Sequence, residues 1–109
     1  MGPADVEAVL HFLPTSRGGR EAPCRAVAGS WRPLCDMGRR DGLNGVLVEF
    51  IGRQWVSPGE TVNARLQFLS PQLQHRRLFE GMDFKIHEGA VVAHGRIEKV
   101  LNAEMRKPE

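Results

Sequence analysis

From Ser57 to Leu101 the chain reads SPGETVNARLQFLSPQLQHRRLFEGMDFKIHEGAVVAHGRIEKVL, and this stretch decides the fold. It opens on Ser57-Pro58-Gly59-Glu60, a turn signal, because proline presets φ and the glycine after it tolerates a positive φ. Beyond the turn the residues alternate: Val62, Ala64, Leu66 and Phe68 on one face, Thr61, Asn63, Arg65 and Gln67 on the other. Ser70-Pro71 ends the run, since proline has no N–H to give to a ladder. Phe84 and Ile86 then alternate with Asp83, Lys85 and His87, Gly89 supplies a turn, and the chain returns through Val91, Val92, Ala93 and Ile97. The pattern predicts a strand, a link over Ser70 to Phe79 and a closing hairpin. Alternation fails between Ile97 and Val100, which predicts a bulge or a strand end at Glu98-Lys99.

Upstream the same grammar recurs. Asp5 to Phe12 predicts a first strand with Val6, Ala8, Leu10 and Phe12 inward and Asp5, Glu7 and His11 outward; Pro14 closes it. A polar loop around Gly18-Gly19-Arg20 leads to Cys24 to Met37, read as a second strand with an irregular middle and an edge or bulge at Pro33. After the charged turn Gly38 to Gly42, the apolar run Gly45 to Ile51 predicts a third strand covered on both faces. Residues 102 to 109 form a polar tail, expected to be flexible. Six strands at this spacing with no helical period predict an all-β fold, an antiparallel sandwich or a small Greek-key barrel, one domain over residues 1–109 with its core at about 5–101.

Composition narrows the function. The 109 residues hold twelve glycines and seven prolines, which favours short strands and turns. There is no run of about 18 apolar residues, so no membrane span is expected. MGPADVEAVL has neither a basic nor an apolar leader region, which points to the cytoplasm. Cys24 and Cys35 are too few and wrongly spaced for a zinc motif and read as reduced thiols. His11, His75, His87 and His94 show no ligand spacing, although His87 and His94 are placed to oppose one another across the Gly89 turn as a two-ligand half-site. No carboxylate pair and no serine elbow supports an enzyme. The chain lacks Gly-x-x-x-x-Gly-Lys-Ser/Thr and Asn-Lys-x-Asp, so it has no means of cradling a nucleotide's phosphates or reading guanine, and GTP hydrolysis is excluded.

Net charge is only +2, yet twelve of the fifteen basic residues are arginines, the cation suited to bidentate phosphate or carboxylate contacts. Arg17 and Arg20 flank the first loop, Arg25 and Arg32 lie on the second strand, Arg39 and Arg40 in the next turn, and Arg76 and Arg77 beside His75 in the link. They read either as a surface that meets phosphates or carboxylates or as an ordinary solvated face.

Two runs carry a resemblance: Leu78, Gly81, Phe84, Ile86, Glu88 and Gly89, and the closing strand Gly95, Ile97, Lys99, Val100 and Leu101. With the Pro58-Gly59-Glu60 turn they resemble the third, C-terminal β-barrel domain of elongation factor Tu. Gly18-Gly19-Arg20 stands where that family has a first-loop Gly-Gly-Arg, and Trp31-Arg32-Pro33 where it has an aromatic-Arg-Pro triplet. The resemblance implies an all-β, six-stranded antiparallel Greek-key β-barrel, and a stand-alone, non-catalytic module with no cofactor, nucleotide or metal. In the family this domain grips the T stem of tRNA by polar contacts and docks partner proteins. The implied contact residues are Arg20, Arg32, Arg76, Arg77 and Trp31, and the implied partners are tRNA or another RNA, a translation-related protein, or a second copy through an apolar patch that includes Trp31 or Trp55. The chain departs from the family at Leu34, where a glutamine is usual after Arg-Pro, and at Glu88-Gly89-Ala90-Val91, one residue shorter and without the family's arginine.

Overall fold

The computed structural model describes all 109 residues. It is all-β. Eight strands form in the order β1 (Val6–Phe12), β2 (Cys24–Arg25), β3 (Leu34–Asp36), β4 (Asn44–Phe50), β5 (Trp55–Val56), β6 (Thr61–Phe68), β7 (Asp83–Glu88) and β8 (Ala90–Val100). Six of them close into a barrel in the spatial order β1-β6-β4-β3-β7-β8, every pairing antiparallel, while β2 and β5 make a separate two-stranded ribbon. β3, β4 and β6 lie side by side in sequence order and β1 lies beside β6, a Greek-key path. No helix is long and apolar enough to cross a membrane.

Alternation places the core. Val6, Ala8, Leu10 and Phe12 of β1, Val62, Ala64, Leu66 and Phe68 of β6, and Phe84 and Ile86 of β7 all point inward and are buried. β8 keeps its inward register through two bulges. Val92 is the extra residue between the pairs Ile86/Ala93 and His87/Val91, and Glu98 the extra one between Ala8/Ile97 and Glu7/Lys99. The second is the irregularity the sequence places at Glu98-Lys99; it turns Val100 back inside. Side chains fill the interior, as in other small barrels.

The structure departs from the sequence reading at four places. The expected second strand is broken, because Ala28 (φ 51°) and Gly29 (φ 83°), both left-handed, loop the chain out between Val27 and Ser30 before it resumes its course along β4. Cys24 to Ala26, before the loop, join the ribbon; Trp31 through β3, after it, join the barrel. β4 is covered on one face only, with Gly45, Leu47 and Glu49 half-buried on the other. Asp5 is buried (7% exposed), not outward: its carboxylate accepts the Phe68 N–H (2.8 Å) and the Asn102 Nδ2–H (3.0 Å), tying the start of β1 to the ends of β6 and β8. Asp5→Ala leaves a buried amide unpaired, so it is expected to cost about 2 kcal/mol, read as a lower urea midpoint at unchanged slope.

The fourth departure is the tail. Residues 102 to 107 are held down: Ala103–Met105 form a 3-10 turn, Met105 is buried, and the chain runs parallel to the link at the Leu78–Arg106 bridge. Leu78 N–H donates to Met105 O and Lys107 N–H to Leu78 O, both at 2.7 Å. One apolar side chain and a paired backbone suffice to order the segment over this end of the barrel.

Candidate functional site

The other end, where β1 finishes and β8 begins, is closed by three aromatic rings. Phe12, Phe50 and Trp31 pack with centroids 5.7 to 6.0 Å apart. Trp31 is only 8% exposed, and a buried indole needs an acceptor for its N–H. Glu88, the last residue of β7, supplies it: Oε2 accepts Trp31 Nε1–H at 3.0 Å. The second oxygen of the same carboxylate accepts Arg20 Nη1–H at 2.6 Å. Arg20 also donates to the carbonyls of Ala22 (3.2 Å) and Pro23 (3.5 Å), and Thr15 Oγ1–H donates to Arg20 O (2.6 Å). One carboxylate therefore joins three segments remote in sequence.

The Gly-Gly-Arg loop has a steric reason. Gly18 ends the Thr15–Arg17 turn at φ 89°, and Gly19 lies so close to the preceding backbone that a Cβ there would sit 2.1 Å from Leu13 O. Only glycine lets the loop fold back far enough to bring Arg20 over Glu88. Gly18 to Ala22 with Glu88, Ala90 and Val92 border an open groove of about 450 Å³.

The residues singled out from the sequence divide accordingly. Trp31 and Arg20 come together on Glu88, where both side chains are hydrogen-bonded into the framework. Arg32 is exposed and carries no ion pair or side-chain hydrogen bond, and the same holds for Arg17 and Arg25 at this end. Arg76 and Arg77 lie at the opposite end, on the link after β6. Arg77 is spent on Gln74 Oε1 (2.8 Å) and Met37 O (3.3 Å), while Arg76, at φ 57°, is exposed and unpaired. His94 does not oppose His87: it pairs across the strands with His11 and Lys85, and His87 faces Val91, because the hairpin closes tightly at Gly89 with Glu88 opposite Ala90.

Both thiols are buried. Burial pushes the Cys24 pKa up to about 11, Arg20 partly offsetting the rise and Glu88 adding to it. Burial raises Cys35 further, with Asp36 adding to the effect. Burial thus favours the protonated form of both thiols.

Sequence reasoning passed over Glu88 as an organising residue, although it stands in the run that carries the resemblance. It also passed over the ribbon pair Arg25 and Trp55 as a unit, since β5 is only two residues long. No protein-family model matches the chain.

Proposed function

We propose that the chain is a non-catalytic binding module of translation-factor type, like the third barrel domain of elongation factor Tu, which engages RNA through the end organised by Glu88. One observation carries the reading. Three segments that bear the resemblance, Gly18-Gly19-Arg20, Trp31-Arg32-Pro33 and Glu88-Gly89, meet on a single carboxylate although 57 and 68 residues separate its partners from it. Random likeness in sequence gives no reason for them to converge. With Arg20 committed, Arg17, Arg25 and Arg32 are the cations left to meet phosphates, and such contacts read backbone and shape. The reading assigns no catalytic residue, nucleotide, metal or cofactor, and places the protein in the cytoplasm.

The test is binding of bulk tRNA across a salt series. Removing one phosphate-neutralising cation lowers the slope of log K against log salt by about 0.7 to 0.9. Replacing Arg17, Arg25 and Arg32 together with alanine is expected to reduce the slope by about 2 and weaken binding throughout. Arg76→Ala, at the far end, is expected to leave it unchanged. Binding that is absent at low salt, or unaltered by the triple change, would refute the reading.

A second reading, a protein-interaction or self-associating module, has its own observation. Leu34 and Leu69 are about half exposed on the outside of β3, β4 and β6, flanking Gly45, with Leu47 beside them on β4. It requires a solution mass that rises with concentration and is indifferent to salt.

A further inference from the structure

Trp55 is 56% exposed, more than any other large apolar side chain in the protein. It stands on β5 directly opposite Arg25 of β2. Cys24 and Val56 of the same ribbon are buried, so Arg25 and Trp55 share its outer face, where directly opposed side chains start about 5 Å apart. Ala26 N–H to Gln54 O (3.0 Å) extends the ribbon by a rung, and Phe50 N–H to Ala26 O (3.2 Å) fastens it to the end of β4. Indole and guanidinium thus stand on a fixed base.

The surroundings decide what would cover the indole. Trp55 is flanked in sequence by Arg53 and Gln54 and by Ser57 beyond Val56. Arg53 shares a solvent-exposed ion pair with Glu60 (3.3 Å), whereas Arg25 has no carboxylate partner. The positions two residues either side of Trp55 are Arg53 and Ser57, both exposed, whereas Leu34 and Leu69 flank Gly45, at the end of β4 remote from Phe50 where the ribbon attaches. A hydrophobic protein contact would extend over apolar neighbours. An isolated aromatic face beside unpaired arginine matches a ligand that is itself flat and anionic.

We infer that Trp55 and Arg25 form a stacking platform for an unpaired RNA nucleotide, the indole against the base and the guanidinium on its phosphate. This rests on the RNA-binding reading and goes beyond it, because a paired stem offers no open base face and a single-stranded end does.

The test compares a fluorescein-labelled RNA hairpin carrying a short 3′ overhang with the same hairpin blunt and with an abasic overhang, by anisotropy at fixed salt. The wild-type protein is expected to prefer the base-bearing overhang by about tenfold. Trp55→Leu should abolish that preference while leaving the blunt hairpin's affinity and the melting temperature unchanged, and Trp55→Phe should keep most of it. If Trp55→Leu retains the preference, or the wild type binds blunt and overhang hairpins equally with the Arg32 dependence intact, the platform is overturned and Trp55 is left to a protein partner. If the wild type binds no hairpin at all, the platform and the RNA-binding reading fall together.

Discussion

Glu88→Ala is expected to destabilise the fold by about 3 kcal/mol, more than any other single change to a polar side chain at this end. Two losses add. The Trp31 indole N–H, buried under the aromatic plug, loses its only acceptor, and a buried unpaired donor costs about 1 to 3 kcal/mol. Arg20 loses its carboxylate; because the two side chains keep 24% and 33% exposure, water screens that pair and its share is about 1 kcal/mol. Glu88→Gln retains an acceptor for Trp31 but not the charge, so about half the loss is expected. Urea unfolding at unchanged slope measures the total, and a cycle with Arg20→Ala apportions it. Hydrogen exchange should quicken at Gly18 to Ala22 in both variants, since the loop is held to the barrel through Arg20.

Gly95→Ala carries the second large expectation. Gly95 faces the interior between Leu10 of β1 and Phe84 of β7, and the Phe84 ring lies over it. A methyl at Gly95 would fall 2.2 to 2.7 Å from three ring carbons, well inside contact distance. The buried ring has to move within a packed barrel, so the change is expected to cost about 3 kcal/mol, at the upper end for overpacking. Phe84→Leu removes the obstruction. The double variant should therefore be less destabilised than the sum of the singles by at least about 1 kcal/mol. Additive losses would mean that the ring does not fill the space above Gly95.

Much of the fold was legible because each of β1, β6 and β7 buries one face, and period-two alternation reports that directly. The Glu98 bulge was legible for the same reason: Ile97 and Val100 are both core residues with an even number of positions between them. The break after Arg25 was harder, because it depends on a left-handed Ala28 as well as Gly29, and alanine carries no turn signal. Asp5 and Met105 were misread by residue type, one polar and one in a polar tail. Their burial comes from partners 63 and 97 residues away and from Leu78 across the barrel end, which no local pattern encodes. The site divided in the same way. Arg20, Arg32, Arg76 and Arg77 are indistinguishable as letters; only the fold shows that Glu88 and Gln74 claim two of them while Arg32 and Arg76 point to solvent at opposite ends.

Proton–nitrogen correlation spectra of the labelled protein, recorded with increasing bulk tRNA at low salt, test the central claim most directly, because they locate the contact without any substitution. Shifts concentrated at Arg17 to Arg25, Trp31-Arg32, Trp55 and the Glu88-Gly89 turn, fading as salt is added, are the expected result. Shifts confined to the far end, at Arg39-Arg40, His75 to Arg77 and Arg106-Lys107, or a spectrum that tRNA does not change, would contradict it.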